Sequence, residues 1–229
     1  MKFKAIFMDN DGTLMDFKAA EANALNCVID QLGIDSPDAP EVYSRINDQC
    51  WKDFEKGLIT QEQLRLRRFR ELMEYFGCGY EEDKVKITAE TYVEELSHQN
   101  ILLPGALDVV KQISAHLPVY ILTNGISKVQ HGRIDTSPLA PYLSGLLIST
   151  EIGAPKPAPD MYLRALEMAQ IEPCEALMIG DSLSSDIRGA VNLGIPACWY
   201  NPERKMKPEW VIGYEIHHIH EMADVALMD

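Results

Sequence analysis

The sequence lacks paired cysteines and any long apolar run. Its five cysteines are dispersed along 229 residues, and no two of them form a CxxC pair. An odd, scattered set argues against a disulfide framework and against a zinc site, and it favours reduced thiols. The first apolar run meets acids at Asp9 and Asp11, too early for a signal peptide, and no apolar stretch is long enough to cross a bilayer. These absences predict a cytoplasmic protein with no membrane partner.

Positive charge is also scarce. There are 21 lysine and arginine residues against 35 aspartate and glutamate residues, so the formal net charge is −14. Such a surface repels nucleic acid and anionic lipid, and we expect neither as a partner. A small anionic substrate is still compatible with this charge, because a local positive site can outweigh the mean field. Apolar residues make up 46% of the chain, which is enough to bury a sizeable core.

The hydrophobic pattern changes twice along the chain. Residues 4–8 have the pattern of a short buried strand, and from about 15 to 101 the apolar residues recur at helical spacing instead. Thr60 and Gln63 predict a capping box at the start of the third of four helices. Later in the chain, short apolar strands alternate with helices, which predicts a parallel sheet covered on both faces. Residues 210–212 are a candidate for its last edge strand.

We therefore predict an α/β fold in two parts. A Rossmann-like parallel-sheet core comprises residues 1–14 and 102–229, and an all-helical cap of residues 15–101 is inserted after the first strand. In such sheets the functional groups lie at the carboxyl ends of the strands. Four predicted strand ends carry carboxylates, hydroxyls or glycines, at residues 9–13, 123–125, 150–151 and 180–181.

Asp9 and Asp11 flank one residue directly after the first strand. Two carboxylates this close repel each other when both are ionised, and a divalent cation such as Mg²⁺ would compensate them. Asp9 can bind that metal and attack phosphorus, while Asp11 can act as a general acid and then as a general base. The alternative is an ordinary polar turn that caps a helix.

Residues at later strand ends can serve the same chemistry. Thr123 and the backbone N–H of Asn124 suit phosphate oxygens. Lys156 is presented between prolines and can neutralise a carboxylate and a phosphoryl group. Asp181 can complete the metal site, and Asp186 can orient its neighbours from a second layer. Taken singly, these features are also typical of capped loops, solvated lysines and acidic helix starts.

Together the motifs resemble those of the haloacid dehalogenase superfamily of phosphohydrolases, which are DxDGT, a strand-terminal Thr or Ser, a Lys, and GDxxxxD. The matching residues are Asp9, Asp11, Thr123, Lys156, Asp181 and Asp186. The resemblance covers the whole chain, because the helical insert is similar to that superfamily's helical cap. It implies hydrolysis of a phosphomonoester through an aspartyl-phosphate on Asp9. It also implies Mg²⁺ as the cofactor, held by Asp9, Asp181 and the Asp11 backbone carbonyl.

The chain also resembles the pyrimidine 5′-nucleotidases of this superfamily that clear non-canonical nucleotides. The similar stretches are residues 121–125, 148–157, 197–201 and, in the predicted cap, 51–60. The implied partner is a small phosphorylated metabolite, a pyrimidine nucleoside monophosphate. One departure is Asn10, where relatives usually carry an apolar or small residue. We expect the Asn10 side chain to stay clear of the chemistry.

Other functions remain open at the level of sequence. A sugar-phosphate or phosphoglycolate phosphatase, or a phosphomutase, would use the same core chemistry. A haloacid-type dehalogenase would need neither Asp11 nor Asp181, and a regulatory protein on an inactive phosphatase core would have no need for Asp11. The motifs leave the oligomeric state open between monomer and dimer.

Two further charged clusters are predicted to lie outside the chemistry. The first comprises His217, His218 and His220, which follow the last strand without a matching pair of metal ligands nearby. We expect a surface or packing role for these histidines. The second is a basic run in the third helix, Arg65, Arg67, Arg68 and Arg70. Because these arginines spread around more than one helix face and can pair with nearby glutamates, we expect a solvated face.

Overall fold

A computed structural model describes residues 2–211 and 213–229, and the chain divides into two compact units. The α/β unit contains the residues up to Phe17 and from Asn100 onwards, and the helical unit contains Lys18–Gln99. The predicted boundaries lie three residues before the first division and two residues after the second. Among the described residues, no helix is both long and apolar enough to span a bilayer.

Four helices make up the helical unit: α1 (Phe17–Leu32), which begins in the α/β unit, α2 (Ala39–Glu55), α3 (Gln61–Phe76) and α4 (Glu82–Ser97). The predicted capping box is confirmed, because Gln63 N–H donates to Thr60 Oγ1 at 3.1 Å and Thr60 N–H donates to Gln63 Oε1 at 2.8 Å. Three aromatic rings from α2, α3 and α4 meet in the core of the unit, with centroids 5.2 to 5.7 Å apart: Tyr43, Phe69 and Tyr92.

The basic run on α3 is only partly solvated. Arg67 pairs with Glu71 at 2.6 Å and with Asp53 at 2.7 Å, in keeping with the expected ion pairing. The expectation is wrong for Arg68, which is 1% exposed and lies with its guanidinium 4.5 Å from the centroid of the Tyr92 ring. The physical reason is helical periodicity, because Arg68 follows the buried Leu64 by four residues and therefore shares its inward face.

Six strands are found among the described residues of the α/β unit: β1 (Ala5–Met8), β2 (Val119–Thr123), β3 (Gly145–Ile148), β4 (Ala176–Gly180), β5 (Ala197–Tyr200) and β6 (Tyr214–Ile216). They form one parallel sheet in the order β3-β2-β1-β4-β5-β6. The predicted α/β fold with a parallel sheet is confirmed. β1 lies at the centre, and Met8 is in register with Ile121 of β2 and Ile179 of β4.

Helices cover both faces of this sheet. They are α5 (Ala106–Ser114), α6 (Ser127–Asp135), α7 (Ser149–Ile152), α8 (Pro159–Ala169), α9 (Arg188–Asn192) and α10 (Glu221–Ala226). Alternate residues of β1 point to opposite faces, so Ile6 and Met8 pack with α5 and α10 while Ala5 and Phe7 pack with α8 and α9. Burial on both faces explains why β1 and β4 have continuous apolar sequences.

In the described part of the chain, the last edge strand follows the position predicted for it at residues 210–212. It lies at Tyr214–Ile216, where Cys198 of β5 pairs with Tyr214. Trp210 and Val211 are outside any strand, and residue 212 lies outside the described residues. Trp210 and Val211 are used for packing instead, because Val211 is buried in the core and the Arg188 guanidinium lies 3.5 Å from the centroid of the Trp210 ring.

The histidine tract lies between β6 and α10, as expected for a packing role. Backbone N–H groups of His217 and His218 donate to Glu221 Oε2 at 2.8 and 2.7 Å. The rings of His218 and His220 stack with centroids 5.5 Å apart. These contacts organise the start of α10.

Candidate active site

The carboxyl ends of three neighbouring strands bring predicted site residues to one edge of the sheet. Asp9 follows the central strand β1, Thr123 ends β2 on one side of it, and Asp181 follows β4 on the other. The Asp9 N–H donates to the carbonyl of Ile179 at 2.9 Å, which continues the ladder between β1 and β4 by one residue. The parallel strand order therefore brings residues from three segments that are distant in sequence into one cluster.

Three carboxylates form a compact group at this edge. Asp9, Asp181 and Asp186 each offer an oxygen, and these oxygens lie within 4.8 Å of one another. Burial raises the pKa of Asp9 well above its ordinary value, and the charges of Asp186 and Asp181 add to that effect against the opposing influence of Lys156. Although part of Asp181 reaches solvent, the protein atoms around its carboxyl and the charge of Asp186 raise its pKa to about 7. The group is electrostatically unfavourable by itself.

Lys156 is the buried counter-charge of this group. Its side chain is 1% exposed, and Nζ donates to Asp9 Oδ1, to Asp186 Oδ1 and to the carbonyl oxygen of Leu122, each at 2.6 Å. Burial alone would lower the pKa of Lys156, but the Asp186 and Asp9 carboxylates outweigh it and raise that pKa above its ordinary value. An ammonium has three donors, and here all three have partners. Contact with a phosphoryl oxygen would require one of them to be exchanged.

The Asn124 side chain fixes the segment that carries Lys156. Asn124 Nδ2 donates to the Lys156 carbonyl at 2.9 Å, and the Lys156 N–H donates to Asn124 Oδ1 at 2.8 Å. Sequence reasoning gave Asn124 only a backbone role, so this reciprocal pair was missed. The available signal was an amide side chain directly after a strand, which is typical of a residue that ties loops together.

Asp186 lies behind the other carboxylates and is fully buried. Its Oδ1 accepts from Lys156, and its Oδ2 accepts from the N–H of Ser182 at 3.1 Å. A single π-helical turn, Leu183–Ile187, carries it, and Tyr162 donates to the carbonyl of Ser185 in that turn at 2.8 Å. Both Asp186 oxygens thus have protein donors.

Two features shape the remaining space around the cluster. Gly12 has φ +81°, and a Cβ at that position would lie 2.6 Å from Asp181 Oδ2, so the turn after β1 requires glycine. Thr123 is buried, and its Oγ1 accepts from the Gly125 N–H at 3.0 Å. The hydroxyl therefore organises the loop that follows β2.

Asp11, which is not one of the three grouped carboxylates, is contacted by two side chains of α6. Gln130 donates to Asp11 Oδ2 at 2.7 Å, and Arg133 donates to Asp11 Oδ1 through a short hydrogen bond. Sequence reasoning missed both residues; the only signal was their spacing of three on a helix after the Thr123 loop. The expectation that Asn10 stays clear of the chemistry remains a prediction: its buried amide donates to Gln130 Oε1 at 2.6 Å, and it is Gln130 that contacts Asp11.

Known proteins are similar to this chain in both sequence and fold. Residues 3–194 match the sequence profile of the haloacid dehalogenase-like hydrolases. The putative HAD-hydrolase YfnB of Bacillus subtilis is 32% identical over 224 residues, which cover 96% of this chain and 94% of YfnB. A crystal structure of YfnB bound to magnesium superimposes with a TM-score of 0.90 and 31% identity, covering 100% of both chains.

Two of the similar proteins are pyrimidine 5′-nucleotidases. The pyrimidine 5′-nucleotidase PynA of Streptococcus pneumoniae is 33% identical over 228 residues, covering 98% of this chain and 95% of PynA. The pyrimidine 5′-nucleotidase YjjG of Escherichia coli is 30% identical over 224 residues, covering 97% of both chains. The similarity therefore extends over the α/β unit and the helical unit alike.

Proposed function

The chain belongs to the haloacid dehalogenase-like hydrolases, and from that premise we propose that it is a Mg²⁺-dependent phosphomonoesterase that acts through an aspartyl-phosphate on Asp9. The observation that carries the proposal is the contact of Lys156 with both Asp9 and Asp186 beside Asp181. This arrangement provides an oxygen nucleophile, a buried positive charge and a set of oxygen ligands at one point. A regulatory protein on an inactive core would have no need for it.

The donor set of the carboxylate group fits Mg²⁺. All the available ligand atoms are oxygens, which Mg²⁺ prefers, and their mutual repulsion is the cost that a divalent cation relieves. We propose that Asp9, Asp181 and the backbone carbonyl of Asp11 would hold the ion, with Asp186 as a supporting residue. When bound, Mg²⁺ would neutralise charge on the phosphoryl oxygens.

In the first proposed step, a carboxylate oxygen of Asp9 attacks the substrate phosphorus. The bond between phosphorus and the ester oxygen breaks, and Asp11 gives its proton to the departing oxygen. The alcohol leaves, and the phosphoryl group is then covalently bound to Asp9. Lys156 supports this step because its charge offsets that of Asp9 and of the transferring group.

In the second proposed step, water attacks the phosphorus of the aspartyl-phosphate. Asp11, now a carboxylate, accepts a proton from that water, and the bond between phosphorus and the Asp9 oxygen breaks. Inorganic phosphate leaves, and Asp9 and Asp11 return to their initial states. We propose that Thr123, the Asn124 N–H and Lys156 bind the phosphoryl oxygens during both steps, while Asp186 orients Lys156.

The proposed substrate is a pyrimidine nucleoside monophosphate. This finer assignment is supported by the likeness to PynA and YjjG over nearly the whole chain. It includes the proposal that the helical unit is the cap that selects the leaving group. Cytoplasmic location and the absence of nucleic-acid partners remain predictions from composition and charge.

The test is a phosphate-release screen with Mg²⁺ over dUMP, dTMP, AMP, glucose 6-phosphate and phosphoglycolate. We expect the highest kcat/KM for the pyrimidine nucleotides, and Asp9→Asn serves as the inactive control. A hexose phosphate or phosphoglycolate at least about tenfold better than dUMP would replace the nucleotidase assignment, since tenfold corresponds to about 1.4 kcal/mol of transition-state binding. Product analysis that finds the phosphoryl group returned to a sugar would indicate a phosphomutase.

A further inference from the structure

Two side chains of α6 hold the carboxylate of Asp11 from one side. Gln130 Nε2 lies 2.7 Å from Asp11 Oδ2, and Arg133 donates to Asp11 Oδ1 through a charge-assisted hydrogen bond. Gln130 is 1% exposed and Arg133 is 0% exposed, whereas the Asp11 side chain keeps partial access to solvent. Each oxygen of the carboxylate therefore has its own buried donor from the same helix.

Local contacts fix Gln130 in this orientation, and helical spacing brings Arg133 to the same carboxylate. Residues three apart on a helix lie on the same face, so Gln130 and Arg133 reach the same carboxylate. Asn10 donates to Gln130 Oε1 at 2.6 Å, which directs the amide nitrogen of Gln130 towards Asp11. The position of Gln130 also requires a glycine beside it, because a Cβ on Gly125 would lie 2.1 Å from Gln130 Nε2.

The contacts orient Asp11 but do not occupy all of its hydrogen-bond acceptor sites. The Arg133 side chain is buried, and its contact with Asp11 fixes the position of that carboxyl group relative to α6. A carboxylate has about four lone-pair sites, so two donors still leave acceptor capacity on both oxygens. Asp11 therefore has a fixed plane and position, together with a partly exposed edge that can exchange a proton.

We propose that Gln130 and Arg133 are positioning residues that hold Asp11 in the orientation for proton transfer to and from the substrate. This rests on the proposed function, in which Asp11 protonates the leaving oxygen and later deprotonates water. Neither Gln130 nor Arg133 exchanges a proton itself. Loss of either contact allows Asp11 other rotamers, and a displacement of about 1 Å in a catalytic group can cost about 100-fold in rate.

The test is a double-mutant cycle between Arg133→Met and Asp11→Asn. A second cycle combines Gln130→Ala with Asp11→Asn. Each variant is assayed with dUMP, whose alkoxide leaving group needs a proton, and with p-nitrophenyl phosphate, whose leaving group does not. We expect Arg133→Met to lower kcat for dUMP by about 10- to 100-fold, to lower it less for p-nitrophenyl phosphate, and to change KM by less than about twofold. In the Asp11→Asn background the same substitution should change kcat by less than about twofold.

The controls separate a positioning role from a structural one. Asp135→Asn, an exposed change on the same helix, should leave both constants unchanged, and Arg133→Lys should recover part of the activity lost in Arg133→Met. Circular dichroism and thermal unfolding show whether each variant folds. If Arg133→Met does not fold, Gln130→Ala and Arg133→Lys are each combined with Asp11→Asn instead. Losses that multiply with Asp11→Asn, or an unchanged or higher kcat, would overturn the positioning role. A wild-type chain that releases no phosphate from either substrate would instead refute the proposed function.

Discussion

Replacement of Lys156 by methionine should lower the stability of the metal-free protein more than that of the Mg²⁺-loaded protein. Methionine keeps the unbranched apolar stem but removes the ammonium, which makes three hydrogen bonds of 2.6 Å. Two of those partners are the Asp9 and Asp186 carboxylates, which are almost fully buried. The substitution therefore leaves two neighbouring buried carboxylates without their positive charge.

The size of the effect follows from that geometry. Removal of one partner from a buried ion pair costs about 3–5 kcal/mol, because the remaining charge is neither hydrated nor paired. For a chain of this length, each kcal/mol lowers Tm by about 2–4 °C, so we expect a fall of about 6–20 °C in the presence of a chelator. Added Mg²⁺ should restore more of Tm in Lys156→Met than it adds to the wild type, because the variant's Asp9 and Asp186 carboxylates have lost the ammonium that balanced them.

The assay is thermal unfolding followed by circular dichroism, with chelator and then with saturating Mg²⁺. Lys4→Met is the matched control, because Lys4 forms an exposed ion pair with Glu175 in the same unit and exposed pairs contribute little. Addition of Asp186→Asn to Lys156→Met should recover part of the lost Tm by removing one uncompensated charge. An unchanged Tm for Lys156→Met in chelator would show that the ammonium does not balance the carboxylates, and the electrostatic account of the site would fail.

Three further outcomes are expected. A chelator should abolish phosphate release and Mg²⁺ should restore it; full activity of the metal-free protein would contradict the assignment of the carboxylate group as a metal site. Asp11→Asn should lower kcat by about 10²- to 10⁴-fold for dUMP and by less for p-nitrophenyl phosphate, while an equal loss for both substrates would assign Asp11 a different role. Thr60→Ala should destabilise the helical unit by about 1 kcal/mol in urea unfolding because it removes the cap of α3, and Thr60→Ser should not.

The strand ends could be predicted from the sequence because two independent signals coincide there. Apolar runs identify buried strands, and the polar residues that end them are of types that suit phosphate and Mg²⁺. The parallel order then brings Asp9, Thr123 and Asp181 together without any knowledge of side-chain packing. Lys156 carries a weaker signal, since a loop lysine is usually solvated and only the structure shows its burial.

The residues that were missed make contacts that no local pattern records. Gln130 and Arg133 lie 119 and 122 positions from Asp11, and in sequence they are ordinary polar residues of a short helix. Arg68 is a similar case. Helical periodicity places it on the inward face of α3, but a buried charge can be predicted there only when its contact partners are known. The last strand was misplaced because residues 210–212 are more apolar in sequence than Tyr214–Ile216, although the Trp210 and Val211 side chains serve packing and not pairing.

The reciprocal hydrogen bonds between the Asn124 side chain and the Lys156 backbone have a consequence for protein engineering. They join the loop after β2 to the loop that precedes α8, although 32 positions separate the two residues in sequence. A transplant of either loop from a relative would bring only half of this clamp and would leave two partly buried amide groups to find new partners. The two loops therefore form one exchangeable module, and chimaeras that divide them should place the lysine incorrectly even where every strand is retained.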